Sequence, residues 1–111
     1  MSNSGNSFKN EGIREIAASA LTASYQNIGS PTEHRAFIIT VMNHTNGDVY
    51  IRRDSDPTGL NTRRIAAHSG RILDYKTDDG IEAKTTQYSV KWAGTAPSSP
   101  DGTFWIEVEY V

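Results

Sequence analysis

The chain has 111 residues, a length typical of one domain with a single core. Its 36% hydrophobic and 22% charged residues indicate a globular protein, and no apolar run approaches the roughly 18 residues that a membrane helix needs. The absence of cysteine excludes disulfides and thiolate chemistry, and a net charge of −2 argues against a dedicated nucleic-acid binder.

Residues 1–10 are rich in Ser, Asn and Gly, which predicts a flexible N-terminal arm. Two interpretations of the arm stay open: a frayed terminus, or a segment that becomes ordered on a neighbouring subunit with Phe8 as its anchor. The stretch lacks the basic-then-apolar order of a signal peptide, so we expect the chain to be made in a cytoplasm. Residues 11–111 form the predicted globular domain.

The first half of that domain contains the most distinctive strand pattern. Residues 13–28 are expected to form one or two strands, with a short helix over 11–18 as the alternative. Residues 35–43 are β-branched and aromatic on both faces, which predicts a central strand covered on both sides. Asn46-Gly47 then predicts a tight hairpin leading to a strand at 49–53, because both residues tolerate positive φ.

The second half predicts shorter strands separated by turn residues. We expect a loop at 54–59, a short edge strand at 63–67 and strands at 71–75, 86–92 and 103–111. The last two alternate strictly, which places these side chains inward: Tyr88, Val90, Trp92, Phe104, Ile106, Val108 and Tyr110. Together the strands predict an all-β protein: a single small antiparallel β-sandwich of jelly-roll or immunoglobulin-like type.

No pattern predicts catalysis, a metal or a cofactor. The aspartates of residues 54–59 lack the other ligands of a calcium loop, and there is no nucleophile elbow. Glu107 and Glu109 lie on one strand face, where a charged solvent face is a commoner explanation than a catalytic carboxylate pair. We therefore expect a protein that is not an enzyme. The histidines are not spaced as metal ligands: His34, His44 and His68.

Two features suggest contact surfaces. Four arginines flank the loop at 54–59, and they would form one basic patch if that loop joins adjacent strands. The patch is either a docking surface or a solvated face balanced by nearby aspartates. Trp105 points outward by alternation, so it either belongs to an interface or covers the end of the sheet under a loop. The arginines are Arg52, Arg53, Arg63 and Arg64.

The order of these motifs resembles that of small tailed-bacteriophage virion proteins. The likeness rests on LTASYQNIG at 21–29, ITVMNHTNGDVYI at 39–51, YSVKW at 88–92 and GTFWIEVEY at 102–110, and a strand ending at Leu73-Asp74 lies between them. It covers most of residues 18–111. The chain departs from the pattern after residue 51, where Arg-Arg-Asp-Ser-Asp replaces the usual Ser-x-Asp-Gly turn.

The resemblance implies a structural part of a virion, either a head decoration protein or an accessory subunit at the neck or tail. It implies binding to capsid, portal, neck or tail subunits and to copies of the chain itself, with no membrane and no specific nucleic acid as partner. It implies no catalytic residues. The expected location is the virion, after synthesis in the host bacterial cytoplasm.

Two other classes of function fit parts of the sequence. A carbohydrate-binding β-sandwich would stack Trp92, Trp105 and Tyr50 on sugar rings, and it needs at least two aromatic side chains exposed on one face. A glycosidase-like enzyme would use Glu107 and Glu109. The predicted inward position of Trp92 argues against the first, and the expected solvent face argues against the second.

Overall fold

The computed structural model describes residues 9–33, 38–53, 62–74 and 86–110. None of these residues forms a helix long and apolar enough to cross a bilayer. A 3₁₀ turn lies at Ala18–Ala20. The strands are β1 (Lys9–Ala17), β2 (Gln26–Asn27), β3 (Ile38–Asn43), β4 (Val49–Arg53), β5 (Arg63–Ile65), β6 (Ser69–Asp74), β7 (Tyr88–Trp92) and β8 (Thr103–Tyr110).

The strands form two four-stranded antiparallel sheets, which confirms the predicted all-β sandwich. Sheet A has the order β1-β8-β3-β6, and sheet B has the order β2-β7-β4-β5. The strand pairs are therefore nested: β1–β8 encloses β2–β7, which encloses β3–β6, which encloses β4–β5. Successive pairs belong to alternate sheets, as they would if one long hairpin were folded over.

The core lies between the two sheets, and alternation along each strand decides which side chains enter it. In β8 the inward residues Phe104, Ile106 and Val108 are fully buried, while the residues between them are partly exposed. In β7 the predicted inward residues are also confirmed, and Trp92 is only 3% exposed. The Trp92 Nε1–H donates to the Leu21 carbonyl at 3.1 Å, which satisfies the one polar group of that buried ring.

The predicted hairpin at Asn46-Gly47 is wrong. β3 lies in sheet A and β4 lies in sheet B, so residues 44–48 carry the chain from one sheet to the other. Neither Asn46 nor Gly47 has a positive φ, so the turn that an Asn-Gly hairpin requires is not formed. The Asn46 side chain instead contacts the last loop, donating to the Ser99 carbonyl at 2.9 Å and accepting from the Asp101 N–H at 3.0 Å.

A buried amide explains why the chain crosses at this point. The Asn43 side chain is fully buried, and its Nδ2 donates to the carbonyls of Gly47 and Ile65, each at 2.9 Å. Its Oδ1 accepts from the Thr45 N–H at 2.9 Å and from the Thr45 hydroxyl at 2.6 Å. This one side chain therefore joins the end of β3, the crossover segment 44–48 and the end of β5.

Glycine is required at one position within this crossover segment and at one position in the loop that faces it. A Cβ at Gly47 would lie 2.8 Å from the Trp92 ring and 2.9 Å from Pro97. Gly102 has a φ of +94°, and a Cβ there would lie 1.9 Å from the His44 carbonyl oxygen. The backbone thus approaches its neighbours too closely for any side chain.

The N-terminal strand begins earlier than the composition suggests. β1 starts at Lys9 and pairs with β8, so two residues of the predicted arm belong to sheet A. The alternative of a helix over residues 11–18 is wrong, because β1 continues to Ala17 with a register shift beside Gly12, whose φ is +95°. Phe8 and the loop at 54–59 lie outside the described residues.

The described part of the predicted strand at 35–43 is central in sheet A, but its outward residues are only half-buried.

We predict that Asn43→Ala lowers the free energy of unfolding by about 2–4 kcal/mol, because it removes the hydrogen bonds that this side chain makes with the buried Ile65 carbonyl and the Thr45 N–H. Urea unfolding followed by circular dichroism measures this. The control is Asn27→Ala on exposed β2, expected within about 0.5 kcal/mol of the wild type. Equal stability of the two variants would contradict the role given to Asn43.

Candidate functional site

The candidate site consists of the two outer faces of the sandwich. Among the described residues, no group of three or more His, Asp or Glu is arranged to hold a metal ion. The outer faces carry side chains of distinct chemistry, and the strand registers decide which of these side chains are neighbours.

The outer face of sheet B carries a row of alternating aromatic and cationic side chains. In the register of the sheet, Lys91 lies opposite Tyr50, and Tyr50 lies opposite Arg64. Tyr25 precedes β2 at the position next to Lys91, because Gln26 pairs with Val90. We call this surface the basic face, and it comprises Tyr25, Tyr50, Arg52, Arg64 and Lys91.

Cation–π contacts hold this row together. The Arg52 guanidinium lies 3.8 Å from the centre of the Tyr25 ring, and the Lys91 ammonium lies 4.8 Å from the same ring. Lys91 and Arg64 lie 6.0 Å and 5.8 Å from the Tyr50 ring, at the limit of the range for such contacts. The basic face is therefore an ordered surface whose cations are placed by neighbouring rings.

Asp48 ends the row at its β5 side. Its Oδ1 accepts from the Ala67 N–H at 3.0 Å, and its Oδ2 lies 2.9 Å from Nη2 of Arg64. The Ala67 hydrogen bond, followed by the bond from Arg64, lowers the pKa of the Asp48 carboxyl below its usual value. Asp48 thus fixes Arg64 in position and links β5 to the end of the crossover segment.

The four arginines of the predicted patch are divided between the outer face and the inner side of sheet B. β4 and β5 are adjacent strands, as the predicted patch required. Arg52 and Arg64 lie on the basic face, in contact with Tyr25 and Tyr50. Arg53 pairs with Tyr88 and has a buried Nε, and Arg63 pairs with buried Ile51, so alternation turns both toward the inner side. Only two of the four therefore share the basic face.

The outer face of sheet A is acidic. Glu107 and Glu109 alternate with buried residues of β8, and Glu15 lies beside Trp105 in the register of β1 with β8. Glu107 accepts a hydrogen bond from the Asn10 amide. Three carboxylates therefore lie on this face, on the opposite side of the sandwich from the basic face.

Apolar side chains lie among these carboxylates. Trp105 is half-buried and points outward, as predicted, between Glu15 on β1 and Met42 on β3. Its ring centre lies 6.1 Å from that of His44. Ile13 and Ile72 are the exposed large apolar residues of the described chain, at 54% and 63%. We call this surface the acidic face, and it comprises Ile13, Glu15, Met42, Ile72, Trp105, Glu107 and Glu109.

The three aromatics considered for sugar binding do not share a surface. Trp92 lies in the core, while Trp105 and Tyr50 lie on the outer faces of different sheets. Sequence reasoning missed Tyr25 and Lys91, although outward alternation of Lys91 in β7 was a usable signal. Their partnership depends on the β2–β7 and β7–β4 registers, which strand patterns alone do not reveal.

Asp48→Ala is expected to lower the stability of the fold at pH 7 by about 1 kcal/mol, since it removes a charged acceptor that is partly screened by solvent. Because the folded pKa of Asp48 is lowered, this difference should be constant above about pH 5 and shrink as the pH falls through about 4 and below. Urea unfolding at a series of pH values tests this, with exposed Asp101→Ala as the control. A difference that grows as the pH falls would contradict it.

The two faces present different chemistry on opposite sides of one rigid sandwich. One offers cations held against tyrosine rings, and the other offers carboxylates around exposed apolar side chains. Such surfaces suit contact with other macromolecules better than the enclosure of a small ligand. No family model, no curated protein and no solved structure matches this chain.

Proposed function

We propose that this chain is a non-enzymatic structural protein of a bacteriophage particle, bound to neighbouring virion subunits as a head decoration protein or a neck or tail accessory protein. The observation that carries the proposal is the pair of outer faces: one offers tyrosine and arginine side chains, and the other offers Trp105 and exposed isoleucines. Residues of these types are enriched where proteins bind each other.

We further propose that the sandwich is of jelly-roll type. The nested pairs β1–β8, β2–β7, β3–β6 and β4–β5 support this choice. In an immunoglobulin-like sandwich the first two strands would pair within one sheet, whereas β1 and β2 lie in different sheets here. Eight-stranded jelly rolls occur in viral capsid domains and in lectins, so the analogy is compatible with a virion role and does not identify it.

The resemblance of the strand motifs to small tailed-phage virion proteins supports the same proposal. Residues 21–29, 88–92 and 102–110, which carry it, contribute Tyr25 and Lys91 to the basic face and Trp105 to the acidic face. The carbohydrate-binding alternative has less support, because Trp92 lies in the core and Trp105 and Tyr50 lie on opposite outer faces. The proposed partners are virion proteins and copies of the chain, and the proposed location is the virion.

Mass spectrometry of purified particles tests the proposal. Particles of the phage or prophage that encodes the chain would be purified by density gradient and washed at high salt. The chain is expected in a fixed ratio to the major capsid protein across the gradient fractions. Abundant host proteins are the control, and their ratio to the major capsid protein should decrease with purification. Absence of the chain from particles whose other structural proteins are detected would contradict a virion role.

A further inference from the structure

We propose that the basic face of one copy of this chain binds the acidic face of a second copy, so that the subunits associate head to tail. The inference deepens the proposed function by naming a partner, and it rests on that function in taking the outer faces as protein-contact surfaces. Its occupant is a second copy because each face offers what the other lacks.

The two faces carry complementary charge. Arg52, Arg64 and Lys91 lie on the basic face, where Asp48 is paired with Arg64 at the edge. Three carboxylates of the described residues lie on the acidic face. Complementary charges of this kind mainly select the partner, set the orientation and speed encounter. Copies that met through two identical faces would instead bring like charges together, which disfavours a symmetric contact through either face.

The same surfaces also carry apolar and aromatic side chains. Ile13 and Ile72 are more than half exposed on the acidic face, and half-buried Met42 and Trp105 lie in the neighbouring row of the same face. The basic face offers Tyr25 and Tyr50, whose rings already bind cations. Burial of these isoleucines against tyrosine rings would supply the apolar gain that surface ion pairs alone lack.

The positions of the two faces require a second copy for this contact. The two faces are the outer surfaces of opposite sheets, so one molecule cannot bring its own basic face to its own acidic face. A contact between different surfaces on two copies leaves one unused face at each end. Such heterologous contacts continue into rings or open filaments, which suits a subunit present in many copies.

Two variants separate the faces. The acidic-face variant carries Glu15→Lys and Ile72→Ser, which reverses one exposed charge and removes the more exposed isoleucine. The basic-face variant carries Arg64→Ser and Lys91→Ser, which removes two cations from the row. Lys9→Ser with Arg71→Ser removes two cations that lie outside the basic face and is the matched control. Circular dichroism and thermal melting establish that each variant is folded.

Sedimentation velocity of the full chain, at low salt and increasing concentration, is the measurement. The wild type and the control should form species larger than dimers, and each face variant alone should lose at least tenfold in association constant. A mixture of the two variants should form a 1:1 dimer and nothing larger, because only one intact basic face and one intact acidic face remain to meet. Association should weaken at high salt.

A wild type that stays monomeric at millimolar concentration would overturn the inference. So would a wild type that forms only a symmetric dimer, if mixing the two face variants does not restore association. The two proposals fail separately. A chain found in particles but monomeric in solution would refute head-to-tail association and leave the virion role standing. A chain that associates as described but is absent from particles would refute the virion role alone.

Discussion

The buried side chain of Asn43 occupies the point at which the chain leaves sheet A for sheet B, and the rest of the structure depends on that passage. Its amide uses both its donor and its acceptor on backbone and hydroxyl groups of the crossover segment and of β5. A buried amide is stable only when its hydrogen bonds are satisfied, so the crossover segment is confined to the path that supplies them. Gly47 and Gly102 then allow the neighbouring backbone and the Trp92 ring to close around it.

The passage also separates the charges of the molecule. Because β3 and β4 enter different sheets, the outward residues of β3 join the glutamates of β8, and the outward residues of β4 join Lys91 and Arg64. A β3–β4 hairpin would have mixed these groups on one surface. The two chemically distinct outer faces, on which both proposals rest, are thus a consequence of the topology.

Local patterns in the sequence predicted single strands well and their pairing poorly. Alternation placed Phe104, Ile106 and Trp92 in the core and Trp105 outside it. This prediction needs no knowledge of strand pairing, because successive side chains of one strand point to opposite faces of the sheet. The Asn-Gly signal failed because Asn46 is held by the loop at 99–101, about fifty residues later in the chain, a contact no short pattern encodes. For the same reason the cationic row on sheet B could not be predicted, since its members come from β4, β5, β7 and the residue before β2.

The path of the chain through the crossover is the central claim, and NMR of the folded protein tests it most directly. The crossover predicts cross-strand nuclear Overhauser effects between β3 and β8, with Met42 opposite Trp105, and between β4 and β7, with Tyr50 opposite Lys91. It predicts no regular cross-strand contacts between β3 and β4. A ladder of such contacts closing on an Asn46-Gly47 turn would contradict the crossover, and with it the separation of the two faces.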